Sequence, residues 1–108
     1  MADRIALDSS PLSLLCQRST ARGVPEIRSW LAAQTSAGVV VYVPEIADYE
    51  VRRELLRAGK TAGIRRLDIL IAELHYLPLN TPAMRRAAEL WAQARNLGTP
   101  TAPPEALD

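Results

Sequence analysis

The sequence predicts an α/β fold: a central, mainly parallel sheet of about three or four strands with helices on its faces. Three observations carry it. Short apolar, strand-like runs alternate with longer stretches of helical periodicity, and that alternation builds parallel sheets. The run "GVVVYVP" (38–44) is continuous, β-branched and bounded by glycine and proline, as a strand is. Prolines stand at helix starts (Pro11, Pro25, Pro82) and glycines at helix ends (Gly38, Gly59, Gly98). The crossovers joining such strands are right-handed.

Residues 4–8 (RIALD) read as a short strand covered on both faces, because the apolar run is unbroken. Ser9 and Ser10 can cap a helix, Pro11 fits its first turn, and Leu12, Leu14, Leu15 and Cys16 give it an apolar side. "RSTARG" (18–23) is a loop. Pro25 opens a second helix with Ile27, Trp30, Leu31 and Ala33 or Gln34 at helical spacing, closing near Gly38. Past the strand, Pro44 starts a helix over 45–58 with Ala47, Val51, Leu55 and Ala58 on its apolar face, and Gly59 stops it. A further helix over 61–74 aligns Ile64, Leu67, Leu70, Ile71 and Leu74, and "HYLPL" (75–79) is a short strand. Thr81 caps and Pro82 opens the last helix, 82–97, whose inner stripe is Met84, Ala87, Ala88, Trp91 and Ala94. "TPTAPPEALD" (99–108) is a proline-rich loop or tail.

The 108 residues are expected to form a single domain, 1–108, with one core. Nearly half the residues are apolar and about a quarter charged, a balance that excludes disordered and membrane-embedded classes. No apolar run approaches the ~18 residues of a membrane span, and no basic lead followed by a long apolar stretch marks a signal peptide. Cys16 is the only cysteine, so no internal disulfide forms, and a reducing, cytoplasmic setting is expected. The net charge of +1 leaves nucleic-acid binding open, because clustering matters more than the total. Arg52, Arg53, Arg57, Lys60, Arg65 and Arg66 do cluster, either as a solvated helix face laced with Glu50 and Glu54 or as a basic surface.

Sites in parallel α/β sheets form at the C-terminal ends of the strands. Asp8 stands at such an end, and it is either a helix cap or half of a metal site. Glu50 falls at the border of the apolar face of its helix. It is either one partner of a surface ion pair, in a stripe with Arg53 and Arg57, or a carboxylate leaning over the sheet edge toward Asp8. Carboxylates gathered at one edge stay ionised together only around a cation. Mg²⁺ or Mn²⁺ suits an all-oxygen site, and such an ion can activate water for phosphodiester cleavage. Other chemistries lack their parts. With one histidine (His75) and one cysteine there is no zinc set, and no glycine-rich phosphate loop is present. Trp30 and Trp91 sit on apolar stripes and read as core, while Tyr42, Tyr49 and Tyr76 form no stacking row.

"IALDSSPLSLL" (5–15) resembles the opening motif of PIN-domain proteins, in which an apolar strand ends in an acid followed by a small hydroxyl residue and a short leucine-rich helix. "VVVYVPEIADYEVRREL" (39–55) resembles the second motif, a strand leading into a helix that carries a glutamate, matched by Glu50. The resemblance is to the toxin-like (VapC-like) ribonuclease branch and covers most of the chain. It implies a PIN-like three-layer α/β/α fold and a Mg²⁺- or Mn²⁺-dependent ribonuclease. Asp8 and Glu50 would be metal ligands and catalytic acids, Asp108 a third, and Ser9 would support the first acid or the phosphate. Arg52, Arg53, Arg57 and Lys60 would face RNA phosphates. The family continues with a further acidic helix and strand past the point matched by Asp108, so the resemblance describes a PIN domain lacking its C-terminal helix and strand. That in turn implies a homodimer or higher oligomer, with an antitoxin-type protein as a possible partner. The second class that fits is a catalytically incomplete PIN-like module that binds nucleic acid or protein.

Overall fold

The computed structural model describes residues 3–98. Their order is β1 (Arg4–Ala6), α1 (Ser9–Leu15), α2 (Val24–Ser36), β2 (Val40–Pro44), α3 (Glu45–Arg57), α4 (Thr61–Glu73), β3 (His75–Leu77) and α5 (Thr81–Leu97). They divide after Pro78 into two compact units, the first holding the sheet with α1 to α4 and the second holding α5. The fold is α/β. Its three strands are parallel and lie in the order β1-β2-β3, with Ile5 opposite Val41 and Val43 opposite Tyr76.

Side chains alternate along a strand, so register sorts them by face. Val41 and Val43 are fully buried and share their face with Ile5 and Tyr76. Arg4, Ala6 and His75, on the other face, are exposed, and Tyr42 between them is half-buried. The expectation that residues 4–8 form a strand covered on both faces is thereby corrected. Pairing ends at Ala6, one strand face is open, and only Leu7 beyond the strand is buried. An unbroken apolar run reports hydrophobicity, not which neighbours arrive to cover each face.

The core of this unit joins Leu7, Leu12, Leu15, Cys16, Val41, Val43, Ala47, Val51 and Leu67, with Ile27 and Leu31 of α2 packed against it. Each such aliphatic side chain contributes about 1.5–3 kcal/mol on burial. The turns that let the helices reverse onto the sheet are built alike. After α2, the Gly38 N–H bonds the Thr35 carbonyl and the Val39 N–H bonds that of Gln34. After α3, Gly59 bonds Leu56 and Lys60 bonds Leu55. Both glycines have φ near the left-handed region, at 83° and 67°, which this paired closure requires and side-chain-bearing residues resist. The α3–α4 turn then brings the two helices so close that a Cβ at Gly63 would stand 2.7 Å from Leu55 Cδ2.

Two other expectations change. Trp30 is 38% exposed, because Ile27 and Leu31 face the core and position 30 is rotated roughly 100° from Leu31. Within the second unit, Asn80 rather than Thr81 caps α5, its Oδ1 accepting from the Ala83 N–H at 2.8 Å. Pro82 has no N–H to offer, so the donor is Ala83, three residues beyond Asn80. The predicted inner stripe of α5 is not a buried one: no residue of that helix is buried, and Met84 and Trp91 are each 56% exposed. Asp108 lies outside the described residues. No described helix is long and apolar enough to cross a membrane.

Candidate functional site

Because β1 and β2 are parallel, the helices that follow them start at the same edge of the sheet. Asp8 comes two residues after β1 and caps α1; Pro44 closes β2 and α3 begins at Glu45. α1 and α3 pack against each other through Leu12, Leu15, Ala47 and Val51 of the shared core. Ser9, Ser13, Glu50 and Arg53 consequently line one open groove of about 500 Å³. The structure thus brings Ser9, the neighbour of Asp8, together with Glu50.

Asp8 is the cap of α1. Its Oδ1 accepts the Ser9 N–H at 2.8 Å and lies 3.5 Å from Ser9 Oγ. A capping carboxylate ordinarily takes the N–H of the second or third helical residue. Here the third is Pro11, which has none, and the bond comes from the first residue, Ser9. The serines therefore do not cap in place of Asp8, and the other carboxylate oxygen, Oδ2, has no hydrogen-bond partner among the described residues. Cap and ligand are compatible roles for the two oxygens of one exposed side chain.

Glu50 resolves differently. Both arginines that could pair with it along α3 are engaged elsewhere: Arg57 bonds Glu54 at 2.9 Å, and the Arg53 guanidinium lies 5.4 Å from the Tyr49 ring centre. Glu50 is half-buried and forms no ion pair among the described residues, so the surface-pair reading of this residue does not hold. Its carboxylate therefore faces the groove without a basic partner among the described residues.

The remaining basic residues are divided. Arg52 is bound on both sides, to Asp48 at 3.0 Å and Asp68 at 2.8 Å, and Lys60 lies on a different groove, at the start of α4. Arg53 alone among the four predicted cations lines the groove of Glu50.

The cluster around Asp48 went unread in the sequence. Asp48 is 14% exposed, accepts from the Tyr76 hydroxyl at 2.9 Å, and is tied through Arg52 to Asp68 on α4. Asp48 and Arg52 stand four apart and could have been seen as a helix pair. Their link to β3 and α4 depends on the fold. The cluster fastens the first turns of α3, two residues before Glu50, to β3 and α4. Burial first, and then the hydrogen bond to Asp48, pushes the Tyr76 phenol from 10.0 up to about 12. Between those two values the unfolded chain has released this proton while the folded chain holds it. Stability is therefore full below pH 10 and falls as pH rises toward 12. Tyr76→Phe is expected to shrink that fall, read as the urea midpoint across the same window. An equal drop in both proteins would mean that Tyr76 titrates alike folded and unfolded.

Cys16 and His75 stand apart from the groove of Glu50. Burial pushes the Cys16 thiol up to about 11, and His75 is exposed with its ring 5.7 Å from Tyr42. No group of three His, Cys, Asp or Glu stands together among the described residues as a ready metal cage. Comparison with family models, with curated proteins and with solved structures returned no match for this chain.

Proposed function

We propose that the chain is a metal-dependent ribonuclease of the PIN-domain type, cleaving RNA phosphodiester bonds at the groove between α1 and α3. The observation that supports it best is Glu50: a half-buried carboxylate without an ion pair among the described residues, on a groove also lined by Ser9, the residue next to Asp8. The parallel order β1-β2-β3 with helices between the strands supports the parallel α/β part of the PIN-like three-layer α/β/α reading.

The donor set suits a hard cation. Mg²⁺ and Mn²⁺ accept one or two carboxylates and keep several waters, so Asp8 Oδ2 and Glu50 meet the minimum, with Asp108 as a third acid in the same reading. When bound, the ion supplies a Lewis acid for a phosphoryl oxygen and an acidified water. The chain's own residues do the rest. Ser9 Oγ and the Ser9 N–H hold Asp8 in one rotamer, the Asp48–Tyr76 bond holds the first turns of α3, and Arg53 offers a positive charge to the phosphate at the groove mouth. RNA is the partner this reading requires; an antitoxin-type peptide and a second copy of the chain are the protein partners that accompany it.

End-labelled RNA incubated with the protein is expected to be cut with Mg²⁺ or Mn²⁺ and left intact in EDTA. Calorimetry is expected to show Mn²⁺ binding. Cleavage that persists unchanged in EDTA would defeat the metal-dependent reading. A second reading, a PIN-like module that binds nucleic acid or protein without cutting, is favoured by the lack of a three-residue acidic group among the described residues. RNA retained in a mobility shift, with neither cleavage nor Mn²⁺ binding, selects it.

A further inference from the structure

The carboxylate groove is not where the positive charge collects. A second, larger groove of about 850 Å³ runs between the end of α1 and the start of α4, and Arg18, Lys60, Arg65 and Arg66 all line it. No carboxylate lines it. Arg18, Lys60 and Arg65 are exposed and form no ion pair among the described residues. Arg66 donates only to the Cys16 carbonyl, at 3.1 Å, which positions its guanidinium without neutralising it. Arg52, Arg57 and Arg86, which line neither groove, each sit on a carboxylate. Four unneutralised cations facing one concavity, in a chain of net charge +1, raise a local positive potential that an anion relieves.

The shape narrows the anion. Ser13 and Gln17 line both this groove and the one holding Ser9 and Glu50, so the two join along α1. A channel that is basic at one end and carries Glu50 at the other suits an extended ligand with charge repeated along its length, not a lone phosphate ion. Arginine forks match phosphate oxygens two at a time. We propose that this channel is a phosphate track for single-stranded RNA, in which Arg18, Lys60, Arg65 and Arg66 hold successive backbone phosphates and Ser13 and Gln17 lead the strand toward Ser9 and Glu50. The proposal deepens the nuclease reading and rests on it for the identity of the ligand. It moves the main phosphate contacts from Arg52 and Arg57, which are paired, to cations that are not.

The test is fluorescence anisotropy of a labelled single-stranded RNA of about ten nucleotides, within the usual range of a strand-binding groove, titrated in EDTA at several salt concentrations. Three or four phosphate contacts give a slope of log affinity on log salt of about −2 to −3, at roughly −0.7 per contact. Arg18→Gln, Lys60→Gln and Arg65→Gln combined should flatten that slope by about 2 and weaken binding more than tenfold. All three side chains are exposed and unpaired, so the urea midpoint should match that of the unaltered protein. Equal affinity and slope in the triple variant would overturn the track, and so would polyglutamate displacing the RNA as well as unlabelled RNA does, which would assign the groove to an acidic protein. The two readings fail separately. Cleavage that the triple variant retains in full, with unchanged binding, removes the track and keeps the nuclease. A salt slope lost in the triple variant, with no cleavage by the unaltered protein, keeps the track and removes the nuclease.

Discussion

Glu50→Gln is expected to lower RNA cleavage by on the order of 100-fold or more while leaving the protein folded. The substitution keeps the shape of the side chain and removes its charge. A bound ion contributes several kcal/mol of charge stabilisation in phosphodiester cleavage, and about 1.4 kcal/mol is worth tenfold in rate. In the proposed reading, losing one of two carboxylate ligands would forfeit much of that. Stability should stay level, since Glu50 has no ion pair to lose among the described residues. Glu54→Gln is the matched comparison: Glu54 is one helical turn away, lines the same groove and is paired with Arg57. It should cost cleavage little. Asp8→Asn should act like Glu50→Gln on cleavage, because an asparagine still caps α1 through its amide oxygen. If Glu50→Gln and Glu54→Gln lower cleavage equally, the effect is one of groove charge and Glu50 is not a ligand.

Leu67→Ala is expected to destabilise the protein by about 2–5 kcal/mol, the range for removing a buried leucine side chain and leaving a cavity. Leu67 is 0% exposed and is the α4 member of the shared core. Its neighbours are held by strand pairing and by the turn at Gly59, so they have little freedom to close the space. Small domains have about 5–15 kcal/mol in all, so this one change consumes a large part of it. Ile69→Ala on the same helix, at a residue 55% exposed, should stay within about 0.5 kcal/mol. Urea midpoints of the two variants measure the contrast, and similar values would mean that α4 is not docked on the core as described.

The alternation of short and long apolar periods, and the prolines and glycines between them, were enough to place eight elements with boundaries within a few residues. Those signals are local: a proline without an N–H and a left-handed glycine act on their own turn whatever the rest of the chain does. Asp8 just past the end of β1 and Glu50 on the helix after β2 were legible for the same reason. What each carboxylate does was not. Whether Glu50 is paired depends on Arg57 choosing Glu54 and Arg53 choosing Tyr49, all within reach of one another on α3. Sequence spacing permits every one of these pairings, and their small energies do not rank them.

The larger revision concerns charge. Read along the chain, Arg52, Arg53, Arg57 and Lys60 are neighbours and look like one basic surface. In space Arg52 belongs to Asp48 and Asp68, and Lys60 joins Arg18, Arg65 and Arg66 across a groove whose walls come from α1 and α4. Arg18 and Lys60 are far apart in sequence, and no periodicity connects them. Helices, strands and their ends follow from dihedral preferences and hydrogen-bond donors within a few residues, so composition and order specify them. Which face of the sheet is covered, which acid is left unpaired and which cations share a groove follow from contacts between distant segments. Their free energies arise only when the packed core has set those segments side by side.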